Sequence, residues 1–132
     1  MFEWSADYSV NIGSIDAQHQ NLFAIGRELY AAMNAGRGKA VVARILDRLV
    51  QYTLVHFAHE ERLMKLHNYK EYEAHKAEHD ALTKQVLQFQ ADLAGGRAMS
   101  VQLLHFMKDW LVQHINGSDK KYVPALREKA VA

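Results

Sequence analysis

The sequence predicts an all-α protein: an up-down-up-down four-helix bundle with an extended N-terminal arm and a short C-terminal tail. Three observations carry that expectation. Four segments keep apolar residues at steps of three and four, the spacing of one face of a helix. Short breaks containing glycine or asparagine separate them, which suits antiparallel neighbours. The polar residues that interrupt the stripes, mostly histidines, fall where such a bundle would gather them at one end.

The elements follow in order. Residues 1–15 read as an arm carrying Phe2 and Trp4, with apolar Val10, Ile12 and Ile15 behind them. Asp16 is the expected N-cap of a first helix over about 17–35, broken by Gly36-Arg37-Gly38. Its stripe runs through His19, Leu22, Gly26, Leu29 and Met33. A second helix, about 39–65, carries Val42, Leu46, Leu49, Thr53, His56, Glu60 and Leu63, and gives out near His67-Asn68. The third, about 70–94, carries Tyr72, His75, His79, Leu82, Val86, Phe89 and Leu93 and stops at Gly95-Gly96. The fourth, about 99–116, carries Val101, Leu104, Met107, Leu111 and His114 and stops at Gly117. Residues 117–132 form the tail, with a last turn expected around Pro124–Lys129.

Composition fits one globular domain over 1–132. Apolar residues make up 49% of the 132 residues and charged residues 23%, and there is one proline. The net charge is +1, and the 16 basic residues form neither a stripe nor a run, so no nucleic-acid partner is expected. No apolar run approaches ~18 residues and no charged segment precedes an apolar one near Met1, so neither membrane insertion nor a signal peptide is expected. The lack of cysteine excludes disulfides, thiolate ligands and iron–sulfur clusters, and fits a reducing compartment. The expected location is the cytoplasm. Histidine, with eight residues, is the unusual component.

Two histidine-bearing stretches organise the chemistry. His56/Glu60 and His75/His79 each place two metal-ligand types one turn apart on a helix face. In an antiparallel bundle, His19 near the start of the first helix and His114 near the end of the fourth join them at the same end. Left unpaired, each such group would cost roughly 1–3 kcal/mol, a carboxylate more. Six of them could consume the ~5–15 kcal/mol by which a domain is stable. They cannot satisfy one another well, because a neutral imidazole offers one donor and one acceptor. Metal coordination resolves the cost, and imidazole suits zinc, copper, iron or nickel.

Six ligands exceed the four of a structural zinc site. Asp119 is a seventh candidate, brought back toward the site by an interruption of the helix at Gly117-Ser118. Five histidines and two carboxylates suit a pair of ions. If each ion takes about six ligands, both carboxylates bridge and one oxygen is shared, a single position stays open for a small molecule.

At these residues the sequence resembles the hemerythrins, most closely the single-domain bacterial hemerythrins. The matching stretches are Trp4, Asp16-Ala17-Gln18-His19, His56-Phe57-Ala58-His59-Glu60-Glu61, His75-Lys76-Ala77-Glu78-His79 and His114-Ile115-Asn116-Gly117-Ser118-Asp119. They span residues 4 to about 122 with every ligand motif intact. Lys70 departs from the pattern, standing where many relatives carry proline, and bears on how the third helix begins. The resemblance implies a non-haem di-iron centre, oxo- or hydroxo-bridged, that binds dioxygen reversibly. By motif position, His75, His79 and His114 would ligate one iron, and His19 and His56 the other, which keeps the open position. Glu60 and Asp119 would bridge. Phe23, Phe57, Trp110, Leu111 and Ile115 fall at or near positions that would line the oxygen pocket, with ordinary bundle core as the competing reading. Tyr122 would stand just outside the ligands.

Among the other histidines, His59 lies off the stripe beside the ligands, His67 reads as a helix-end residue, and His105 as solvated. Glu61 reads as an i,i+4 partner of Lys65. The expected function is oxygen storage, delivery or buffering by a monomer, without enzymatic turnover. The alternatives are a di-iron oxidase or a peroxide- or nitric-oxide-handling protein, and an oxygen- or redox-sensing or structural module. Ferritin-like di-iron sites use Glu-x-x-His, which this sequence lacks.

Overall fold

The computed structural model describes residues 2–96 and 101–127, and within them the four stripes become four helices of one bundle. They are α1 (Gly13–Asn34), α2 (Lys39–Leu66), α3 (Tyr72–Ala94) and α4 (Val101–Gly117). A 3₁₀ turn, Asp119–Tyr122, and a last short helix, α5 (Val123–Arg127), follow. The expected start of α4 at Met99, and Lys129 of the expected last turn, lie outside the described residues. Among the described residues no helix is long and apolar enough to cross a membrane.

The helix ends follow from the chain's turn chemistry. α1 closes with Gly36 at φ 64°, where the Arg37 N–H reaches the Ala32 carbonyl at 3.1 Å and the Gly36 N–H reaches that of Met33 at 3.2 Å. α2 closes the same way around Asn68 at φ 55°, with Tyr69 N–H to Met64 O at 2.9 Å. Both are Schellman closures that satisfy the last carbonyls. His67 is the C-cap of α2, as a helix-end residue should be. α3 begins at Tyr72, two residues later than expected, because residues 69–71 form the turn that reverses the chain, with Tyr72 N–H to Tyr69 O at 3.2 Å.

The start of α1 corrects the sequence reading. The helix begins at Gly13, Ile12 stands at the cap position, and no side chain caps it. Asp16 sits inside the first turn, where its carboxylate accepts from Ser9 Oγ at 2.6 Å and from the Val10 N–H at 2.9 Å. It ties the arm down instead of starting the helix. The arm is also not wholly extended, since Ala6–Tyr8 form a 3₁₀ turn. Nor does Gly117 adopt a left-handed conformation; α4 ends there and the chain tightens into the 3₁₀ turn.

Two apolar clusters position the site. The larger fills the bundle with residues such as Leu22, Leu46, Leu82 and Leu104, and Phe2 of the arm joins it. Phe2 is 3% exposed and packs over Gly26, where a Cβ would come 2.5–2.7 Å from its ring atoms. Its carbonyl accepts from Arg27 Nη1 at 2.9 Å. Trp4 and Tyr8 each meet the Phe23 ring edge-on at 5.5 Å. The smaller cluster joins Val10, Ile12 and Ile15 of the arm and α1 to Met64, Tyr122 and Leu126. It closes the other side of the polar centre with chain from both ends of the sequence.

Candidate metal centre

Every helix of the bundle sends side chains to one buried place. α1 supplies His19, α2 His56 and Glu60, α3 His75 and His79, α4 His114, and the following 3₁₀ turn Asp119. None of the seven is more than 4% exposed. Their donor atoms form two overlapping groups, each with all atoms within 4.8 Å of one another. One is Glu60, His75, His79, His114 and Asp119; the other is His19, His56, Glu60 and Asp119. The two carboxylates belong to both, and the second group offers one ligand fewer.

The atoms crowd without pairing. His75 Nε2 lies 2.9 Å and His114 Nε2 3.1 Å from Asp119 Oδ1, and His19 Nε2 lies 3.2 Å from Oδ2. His79 Nε2 and His56 Nε2 lie 3.1 and 3.3 Å from Glu60 Oε1. Even so, Glu60 Oε1, both Asp119 oxygens and the Nε2 atoms of His19, His75, His79 and His114 make no hydrogen bond among the described residues. Buried polar atoms are almost always bonded. Close approach without hydrogen bonding is what results when lone pairs converge on shared points between them. The donor set fits a pair of metal ions: imidazole and carboxylate only, at two adjoining positions.

Electrostatics agree. Burial alone would lower the His114 pKa, but Asp119, Glu60 and Glu78 beside it push it up to about 9. His19 is raised too, with burial again outweighed, here by Asp119 and Glu60. Burial would raise Asp119, yet His114, His19 and His75 hold its carboxyl well below the usual range. Glu60 is likewise lowered, with burial and Asp119 opposing and His56 and His79 prevailing. Raised imidazoles and lowered carboxyls have one meaning: added positive charge is stabilised here.

The outer nitrogens of three of these histidines are held from behind. His56 Nδ1 donates to Gln18 Oε1 at 2.7 Å, His79 Nδ1 to Glu61 Oε2 at 2.8 Å, and His114 Nδ1 to Glu78 Oε1 at 3.0 Å. An oxygen acceptor fixes the proton on Nδ1 and leaves the Nε2 lone pair facing inward, the tautomer that a metal needs. The Tyr122 hydroxyl donates to Glu60 Oε2, which places Tyr122 just outside the seven, as expected. Glu61 corrects the sequence reading: it meets His79, while Lys65 lies over the Tyr72 ring at 5.9 Å. Sequence reasoning also passed over Gln18, Glu78 and Ser118. They lie off the stripes, and each of the two that touches a histidine serves one on another helix. His59 turns outward to Ser14 Oγ at 3.1 Å and Arg62 at 2.9 Å, and His105 is exposed.

The five apolar candidates separate. Phe57 stacks on His79 with centroids 3.8 Å apart, and Trp110 on His114 at 4.7 Å. Leu111 and Phe57 border a cavity of about 30 Å³ in the bundle interior, and Ile115 is fully buried in the main core. The ring contacts of Phe23 are with Phe2, Trp4, and Tyr8, not with a histidine.

The chain is similar to known proteins. Residues 10–126 match the Hemerythrin HHE cation binding domain. The bacteriohemerythrin of Methylococcus capsulatus (strain Bath) is 34% identical, covering 96% of this chain and 97% of its own. A hemerythrin-like protein of Naegleria gruberi is 33% identical, covering 92% and 90%. A crystal structure of wild-type hemerythrin superposes with a TM-score of 0.89 at 34% identity, covering 94% of this chain and 96% of that one. Sequence match, bundle and buried histidine–carboxylate cluster agree, and the chain belongs to the hemerythrin family.

Proposed function

We propose that the chain binds dioxygen reversibly at a pair of iron ions, for storage, delivery or buffering of oxygen. His75, His79 and His114 would hold one ion, His19 and His56 the other, and Glu60 and Asp119 would be shared between them. The observation that carries this reading is the pair of overlapping donor groups sharing two carboxylates, one group a ligand short. The shortfall supports an open position on the His19–His56 side. Imidazole and carboxylate alone would accept several metals; membership of the hemerythrin family supports iron.

When bound, a reduced iron pair would supply the electrons for reversible uptake of dioxygen. The protein's part is to hold and to exclude. Phe57 and Trp110, stacked on ligands, and Leu111 and Ile115 behind them keep water from the centre. The Tyr122 hydroxyl fixes one oxygen of the bridging Glu60. The ring neighbours of the His19–His56 pair are each other, at 4.6 Å, and Phe57, at 5.9 Å from His56. Histidine-rich donors with only two carboxylates support binding over turnover.

The test is a metal count on purified protein, then anaerobic reduction, readmission of air and a visible spectrum. Two irons per chain, with a ligand-to-metal band that appears with oxygen and disappears reversibly under argon, is the expected result. Irreversible oxidation within one exposure would point to an oxidase or a sensor, and zinc would overturn the iron assignment.

A further inference from the structure

The hydrogen bonds behind the histidines are unevenly distributed between the two donor groups. In the three-histidine group, His79 and His114 each donate Nδ1–H to a carboxylate, Glu61 at 2.8 Å and Glu78 at 3.0 Å. In the two-histidine group, His56 donates to the neutral amide oxygen of Gln18 at 2.7 Å, and His19 Nδ1 has no hydrogen-bond partner among the described residues. Both glutamates are themselves anchored. Ser118 Oγ donates to the two oxygens of Glu78 at 2.7 and 2.8 Å, and Lys76 Nζ lies 3.9 Å from Glu61 Oε1. A carboxylate on the far nitrogen makes an imidazole a stronger electron donor to a metal than an amide does.

We propose that Glu61 and Glu78 are positioning residues that make the two metal positions electronically unequal. Two anionic partners on one side enrich the three-histidine position and stabilise its higher oxidation state. The His19–His56 position, with a single neutral partner, stays electron-poor and better suited to an incoming ligand. This inference rests on the iron pair proposed above and deepens it. Ser118, next to the bridging Asp119 in sequence, sets Glu78 and so acts on His114 at one remove.

The test uses the iron-loaded chain and the variants Glu61→Gln, Glu78→Gln and Gln18→Glu. Each keeps an oxygen acceptor on its histidine and changes only the charge behind it. Two quantities are read: the midpoint potential of the iron pair by spectroelectrochemical titration, and iron retained against a fixed excess of chelator. Glu61→Gln and Glu78→Gln should raise the potential and weaken iron retention by roughly 10–100-fold. Gln18→Glu should lower the potential, and Ser118→Ala should give a smaller shift of the same sign as Glu78→Gln. Helicity by circular dichroism should be unchanged throughout. A merely structural hydrogen bond would not give shifts of opposite sign on the two sides. Potentials equal to that of the parent, or shifts of one sign in all variants, would overturn the inference. If Glu78→Gln cannot retain iron, Glu61→Gln and Gln18→Glu still decide the sign. A parent chain that binds no iron would instead overturn the underlying reading.

Discussion

Replacing Gly26 with alanine should destabilise this protein, against the ordinary expectation for a glycine inside a helix. Gly26 lies in the middle of α1, where alanine would normally gain about 1 kcal/mol. Here the new Cβ would come 2.5–2.7 Å from three ring atoms of Phe2, so the ring must leave. Phe2 is 3% exposed and meets Phe23 edge-on at 6.2 Å. Exposing such a side chain costs about 1.5–3 kcal/mol, and losing an aromatic pair about 0.5–1.5 kcal/mol more. Less the helix gain, the net loss is about 1–3.5 kcal/mol. Denaturant unfolding of the metal-free chain measures it, in a cycle of Gly26→Ala, Phe2→Ala and the double variant. In the Phe2→Ala background the ring is already gone, so Gly26→Ala should stabilise by about 1 kcal/mol. Stabilisation in both backgrounds would refute the packing argument. Phe2 also borders the interior cavity beside Phe57, so both single variants should hasten oxidation of the reduced iron form.

Two further predictions concern the centre. His56→Ala or Glu60→Ala should abolish the di-iron optical signature while the chain stays helical by circular dichroism; a retained signature would remove these residues from the ligand set. Metal-free protein should melt below the iron-loaded form, by a margin that widens as pH rises. The sign follows from the histidines. His19 and His114 are raised in the metal-free fold, His114 to about 9, so their stabilisation is complete below the unfolded value of 6.5 and fades as pH climbs toward about 9. Glu60 and Asp119, held low, act in the opposite sense and lose their contribution only under acid. Iron displaces the histidine protons, so its advantage grows between pH 6.5 and about 9. A melting difference constant over that range would contradict the assignment of those protons.

What the sequence made legible was whatever a helical period can encode. His19, His56, Glu60, His75, His79 and His114 stand on stripes, so the helix geometry and short loops alone gather them. Asp119 was legible because a helix break had to fall between it and His114. What escaped were partnerships between helices. Glu61 has a lysine four residues on, and local spacing favours that pair; its real partner is 18 positions away on α3. Gln18 adjoins His19 in sequence but bonds His56. Asp16 has the composition of a cap, yet the arm passing Ser9 and Val10 over α1 claims its carboxylate. Such choices depend on which side chain a neighbouring element presents, and a one-dimensional pattern does not carry that.

Asp119 follows His19 by 100 residues, yet both belong to one donor group, and the two groups together draw on every helix of the bundle. Ions held there would act as a removable cross-link among the four helices. Cross-links across long loops restrict the unfolded ensemble most strongly. Were all seven buried side chains to ligate, a helix could not swing away while its histidine stayed bound. If iron fills this site as proposed, its exchange would be coupled to opening of the bundle, and packing remote from the metal would contribute to its residence time alongside the bonds that hold it.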